Sequence, residues 1–167
     1  MSDLYREQLI KTKSSAGQKI LCVFLTLGTI LLLALGIFFM PVILVAGLAL
    51  GWAAWMAFQR LRVEYEYLYV NGELDIDTIY GRVKRKKTAS FDLNDLQAAA
   101  WEKSHSLDSY RSNPGIQKMD FTSKRRDSAR FILVFQKEGK NLWVAIEPDE
   151  VMINDMKLKA PRKVFLD

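Results

Sequence analysis

The sequence has a single cysteine, Cys22, and a single histidine, His105. One cysteine excludes an intramolecular disulfide and is compatible with a domain facing the cytoplasm. One Cys and one His, far apart, leave no Cys/His constellation for a metal. After residue 60 there is no GxxxxGK(S/T), GxSxG, HExxH or GxGxxG, so the patterns that cradle phosphate or present a nucleophile are missing. The chain is expected to be non-enzymatic, with no catalytic, cofactor-binding or metal-ligating residue and no cofactor.

Charge is absent from one long stretch, Ile20–Phe58. A channel or proton relay needs ionisable groups at depth, so transport is disfavoured. Strong basicity is also lacking. The net charge of +5 divides as +2 over residues 1–19 and +3 over residues 60–167, and the basic stretches have little aromatic interleaving. A nucleic-acid partner is therefore not expected.

What is present is the apolar run itself. A membrane span takes roughly 20 apolar residues, so 20–58 is long enough for two. Met40-Pro41 lies at its middle, where proline removes a backbone donor and biases the preceding residue away from helix. Spans over about 20–39 and 42–58 are expected, folded as a hairpin. The run is too long for a signal peptide. Lys11, Lys13 and Lys19 precede it, Arg60 and Arg62 follow it, and no Lys or Arg lies near the connection. Both termini are then cytoplasmic, in the cell (inner or plasma) membrane. Trp52 and Trp55 suit the interface, and Gly47 and Gly51 form a small-residue strip. The strip packs on span one near Gly28 or Gly36, or makes a homodimer contact. Residues 1–19 read as a short cytosolic segment, amphipathic or frayed.

Beyond Arg62 the pattern becomes strict alternation. Val63–Val70 and Glu73–Tyr80 read as strands joined by Asn71-Gly72, the strongest short hairpin signal. Tyr80-Gly81 marks a second turn, and Arg82–Phe91 a third strand. Two-residue turns place Asp77 opposite Lys84 and Asp75 opposite Lys86. Tyr65, Tyr67, Tyr69, Leu74, Ile76 and Val83 then share the buried face. Phe91–Trp101 fits either a short capped helix or a fourth strand, and Ser104–Gly115 has loop composition. Gln117–Thr122, Ala129–Gln136 and Asn141–Ile146 read as strands, with Glu138-Gly139-Lys140 a turn and Phe131–Phe135 central. Glu147-Pro-Asp-Glu150 starts a helix with proline in its first position, and Val151, Met152, Met156 and Leu158 supply an apolar stripe that Asp155 interrupts.

A meander, a second set of strands and one closing helix resemble a pleckstrin-homology-like (PH-like) domain. With Val63-Glu-Tyr-Glu-Tyr, Asn71-Gly72-Glu-Leu-Asp-Ile-Asp77, Glu147-Pro-Asp-Glu150 and Ala160-Pro-Arg-Lys-Val-Phe165, the chain resembles an uncharacterised family of small two-span bacterial membrane proteins. The resemblance implies a membrane-anchored α+β fold. Residues 1–19 are a cytosolic segment, 20–58 a transmembrane helical hairpin, and 62–167 a cytosolic PH-like antiparallel β-sandwich or barrel closed by a C-terminal helix. The motifs are structural, so no functional residue carries over.

The candidate contact residues are two basic groups, Arg82, Lys84, Arg85, Lys86 and Lys87, and Lys124, Arg125, Arg126 and Arg130. Beside a bilayer each is worth about 1 kcal/mol against anionic lipid. The expected register leaves Arg85 and Lys87 free for phosphate, with Lys84 and Lys86 neutralised across the sheet. The expected function is a membrane-anchored adaptor whose domain contacts anionic lipid headgroups or a membrane-protein partner. The alternative is an interaction subunit assembling through its spans or an open sheet edge.

Overall fold

A computed structural model describes residues 5–166 apart from Phe39, Arg62, Val83 and Glu138. The expectations for those four (span end, flanking charge, buried face and turn) lie outside the described residues. The chain divides into a helical unit, residues 13–63 with 79–84, and a β-rich unit formed by the rest.

In the helical unit, α1 spans Ala16–Phe38 and α2 spans Pro41–Leu61. Ser15 caps α1: its carbonyl accepts from Lys19 N at 3.2 Å, and Gln18 Oε1 reaches back to Ser15 N at 3.1 Å. This is one half of a capping box. Pro41 occupies the first position of α2, where a missing N–H costs nothing, and Ile43 N bonds Met40 O at 3.0 Å. The helices interlock through glycines. A Cβ on Gly36 would lie 2.8 Å from Leu44 N, and one on Gly47 2.9 Å from Leu33 Cδ2. Gly51 faces Thr29 in the same way, and Gly28 faces Leu50. Thr26 and Thr29 donate back to the carbonyls of Cys22 and Leu25 at 2.8 Å, so neither hydroxyl is left unpaired. The outward side chains are apolar and uncovered, with Phe24 74 % exposed and Val42 80 %.

The β-rich unit has two four-stranded sheets. The first orders its strands β1 (Tyr5–Lys11), β2 (Val63–Val70), β3 (Glu73–Tyr80) and β4 (Lys84–Asp92). The segment expected to be amphipathic or frayed is thus a strand at its N-terminal part. It pairs antiparallel with β2, from Tyr5 opposite Val70 to Lys11 opposite Glu64. Asn71 and Gly72 both carry positive φ, as a type I′ turn requires. At the next turn the positive φ values fall on Gly81 and Arg82 rather than Tyr80 and Gly81. The expected register is therefore corrected: the turn sits one residue later.

The second sheet orders its strands β5 (Leu96–Trp101), β7 (Phe131–Lys137), β8 (Lys140–Ile146) and β6 (Gln117–Asp120). Because β6 runs parallel to β8, the domain is not wholly antiparallel. Among the described residues the sheets do not close into a barrel. Of the two readings of 91–101 the strand holds, and a helix running through Gln97–Trp101 does not. A 3-10 turn, Leu93–Asp95, is capped by Asp92, and β5 follows. Segment 104–115 contains a second 3-10 turn and a one-turn helix, α3 (Asp108–Arg111).

One core packs Tyr67, Tyr69, Leu74 and Ile76 of the first sheet with Phe131, Leu133, Phe135 and Val144 of the second. The other face of β7, Ile132 and Val134, is covered by Leu107 and Ile116. Coverage on both faces explains why β7 is apolar without alternation. The last helix, α4 (Glu150–Lys159), is capped by Asp149, so Pro148 precedes the cap instead of opening the helix. Its buried stripe is Met152, Ile153 and Met156, whereas Val151 and Leu158 are exposed. After it, Lys163 O accepts from Ala99 N and Phe165 N donates to Ala99 O, both at 2.7 Å, so the tail covers the outer edge of β5.

Candidate functional site

The ion pairs of the first basic group differ from those expected. Arg85 Nη2 donates to Glu66 Oε1 at 2.7 Å, and its Nε lies 4.0 Å from Asp77. Lys87 Nζ donates to Asp75 at 2.6 Å, and Ser90 adds a second bond to the same carboxylate. Arg85 and Lys87 are thus the paired cations. Lys84 and Lys86 are exposed and make no ion pair among the described residues. The hydrogen bonds from Lys87 and then Ser90 hold Asp75 below the usual carboxylate range, and the same contact raises Lys87. Burial, and then the neighbouring Glu7 carboxyl, push Glu66 upward against the pull of Arg85. Glu66 Oε2 lies 2.6 Å from the Arg85 guanidinium without a hydrogen bond of good geometry. β4 is also an outer strand, and lysines on an outer strand discourage pairing with another chain.

The second group is arranged differently. Its loop, residues 121–130, hangs from a set of buried polar anchors. Tyr67 Oη donates to Phe121 O at 2.7 Å and accepts from Glu147 N at 3.3 Å. Burial holds this phenol far above its ordinary range, so it stays a donor. The Glu147 carboxylate accepts from both Ser123 N and Ser123 Oγ at 2.8 Å. Asp120 Oδ1 takes Thr122 N and Oγ1, closing a local turn, and Lys124 follows with φ of 58°. Ser128 Oγ donates to Arg125 O at 3.0 Å. On β1, Gln8 holds the other side of Glu147–Asp149 with bonds to Glu147 O and from Asp149 N.

On this frame Lys124, Arg125 and Arg126 are exposed and make no ion pair among the described residues. Arg130 is half-buried, 3.7 Å from Glu102. Arg125, Arg126 and Arg130 line a groove of about 480 Å³ against Trp101, Glu102 and Lys103. Arg125 also lines a second groove, about 340 Å³, whose other walls include Lys11, Ser123 and Glu147. Each group is neutralised in part, with Lys84 and Lys86 exposed in the first and Lys124, Arg125 and Arg126 exposed in the second. Gly47 and Gly51 meet Leu33 and Thr29 of α1 in the same chain.

The sequence reading missed Lys11, Lys103 and Glu147 as neighbours of this loop, and Ser123 as the loop residue that anchors it. Asp120 and Thr122, two residues apart, do carry the mark of a side-chain-closed turn. Nothing local marks Glu147 as the acceptor for Ser123.

No curated protein and no solved structure matches the chain. A model of the family described as Bacterial PH-like domain (DUF6106) matches residues 2–166. Two apolar helices lie between the first two strands, and the β-sheets end in a C-terminal helix, so fold and match cover the same residues. The chain belongs to this family of uncharacterised bacterial PH-like domains.

Proposed function

We propose that the chain is a non-enzymatic adaptor, anchored in the bacterial cell membrane by α1 and α2, whose PH-like domain contacts the adjoining cytoplasmic surface. The observation that carries this is the outer surface of the two helices. Phe24, Ile37, Phe38 and Val42 are all more than 70 % exposed, on helices with no charge from Ile20 to Phe58. Apolar area removed from water stabilises by about 25 cal/mol per Å², so lipid is the solvent such helices fit. Both termini are cytoplasmic in this reading, as the flanking lysines favour. The buried polar groups Tyr67, Glu66 and Ser123 are engaged in bonds that hold strands and loops, which suits a contact module better than a catalyst.

The test is extraction of membranes from cells expressing the full chain. Retention through alkaline carbonate and release only by detergent are expected. Recovery in the carbonate supernatant would overturn the reading.

A further inference from the structure

We propose that the loop Ser123–Arg130 is the surface with which the domain lies against the phosphate headgroups of an anionic bilayer. This rests on the anchored reading above. Residues 124–130 carry four basic side chains and one acid, Asp127. Lys124, Arg125 and Arg126 project from a base fixed by Tyr67, Ser123 and Glu147. Little ordering of the loop is therefore left to occur on contact. A flat array of phosphates with mobile headgroups matches three exposed cations better than a single enclosed anion does.

Chain connectivity supplies the second argument. The groove beside Arg125 is walled by Leu9, Ile10 and Lys11, the last residues of β1. Four residues, Thr12–Ser15, lead from there to the first turn of α1, a reach of at most about 14 Å at 3.3–3.6 Å per residue. β2 begins at Val63, two positions after α2 ends at Leu61. Two short covalent tethers therefore leave from the strand ends beside this loop. The attraction of an anionic leaflet for basic residues fades over a Debye length of about 8–10 Å. Tethers this short limit how far the β1 and β2 strand ends can stand from an inserted hairpin. In the β4 group Arg85 and Lys87 are committed to Glu66 and Asp75, so its exposed cations without an ion pair among the described residues are Lys84 and Lys86, two against the three of the loop.

The full-length chain, with Cys22→Ala and a donor dye on Ala129→Cys, is reconstituted into nanodiscs whose lipids carry a headgroup acceptor. The nanodiscs are phosphatidylcholine alone, or phosphatidylcholine with phosphatidylglycerol. Energy transfer is expected with phosphatidylglycerol, falling in high salt and in phosphatidylcholine. Each of Lys124→Gln, Arg125→Gln and Arg126→Gln should weaken the lipid-dependent contact about fivefold. Lys84→Gln with Lys86→Gln should leave it unchanged, and unchanged protease resistance will show that the variants fold. Equal transfer in both lipids, or equal loss from the β4 pair, overturns the loop assignment while the anchored reading stands. Release of the same chain from membranes by carbonate overturns both.

Discussion

Lys11 and Glu64 face each other across the β1–β2 ladder, and the entire helical hairpin runs between them. The PH-like domain is therefore discontinuous in sequence. Its first strand precedes α1 and its second follows α2.

A fragment beginning at residue 62 will lack β1 and expose the edge of β2. It also loses the two bonds of Gln8 to the Glu147–Asp149 backbone, on the order of 1 kcal/mol each. We expect it to aggregate or melt early. Replacing residues 12–63 with Asn-Gly should instead give a soluble, folded domain, because Lys11 and Glu64 already stand at hairpin distance. Size-exclusion chromatography and thermal melts compare the two, and equal behaviour would remove β1 from the domain.

Gly36→Leu should destabilise the helical hairpin by about 1–3 kcal/mol, since even a Cβ there meets Leu44 N at 2.8 Å. Gly17→Ala, with only Ser15 Oγ at 3.8 Å, is the neutral control. Melting in detergent followed by helical circular dichroism reads both. Equal stability of Gly36→Leu and the native chain would contradict the interlock.

Tyr69 Oη donates to Asp155 at 2.7 Å, which accounts for an acid on the inner side of α4. Tyr69→Phe should cost about 1–3 kcal/mol by leaving this carboxylate with Lys159, 3.5 Å away, as its remaining charged neighbour. Tyr67→Phe should cost a similar amount and also admit protease to residues 121–130, because its hydroxyl joins Phe121 to Glu147. Urea melts with limited proteolysis separate the two effects. Protection of the loop in Tyr67→Phe would contradict its anchoring role.

Glu66 and Asp75 should bend the pH profile in opposite senses. The folded state raises Glu66, so its contribution is complete below the unfolded value of about 4.3 and is lost as pH rises through the folded one. The folded state lowers Asp75, so its contribution is present above about 3.9 and is lost as pH falls through the folded one. Glu66→Gln should gain on the native chain in melting temperature from mild acid to neutrality. Asp75→Asn should fall behind at neutrality and recover in acid. Differences that stay constant with pH would show that neither carboxyl titrates as its surroundings imply.

Much of the fold was legible where chemistry is local. Asn71-Gly72 accepts positive φ readily, and the turn forms there as expected. Pro41 cannot continue a helix from the residues before it, and α2 begins at it. Phe131–Phe135 reads as central because both of its faces are covered. Features set by distant partners were not legible. Tyr5–Lys11 is short and mixed in charge, and its alternation has meaning only against β2. The parallel pairing of β6 with β8 leaves no mark in either strand. An arginine at positive φ is an uncommon turn residue, so Tyr80-Gly81 looked the better turn. The cation partners were not legible either, since Arg85 reaches Glu66 on β2, a strand beyond its own neighbour, and Lys87 reaches Asp75. The loop carrying the other basic group was visible as charge, whereas its anchors Tyr67 and Glu147 lie far from it in sequence.

The interruption of the first sheet by the hairpin also sets an order of events during synthesis. β1 leaves the ribosome first and has no partner until about 50 further residues have followed, a wait over which closure entropy grows as (3/2)RT ln n. Insertion of α1 and α2 as a pair would bring the two ends of that long loop back to one place on the membrane surface. Under the proposed anchoring the bilayer would then act as a folding template, converting the most distant strand pairing of the first sheet into a nearly local one.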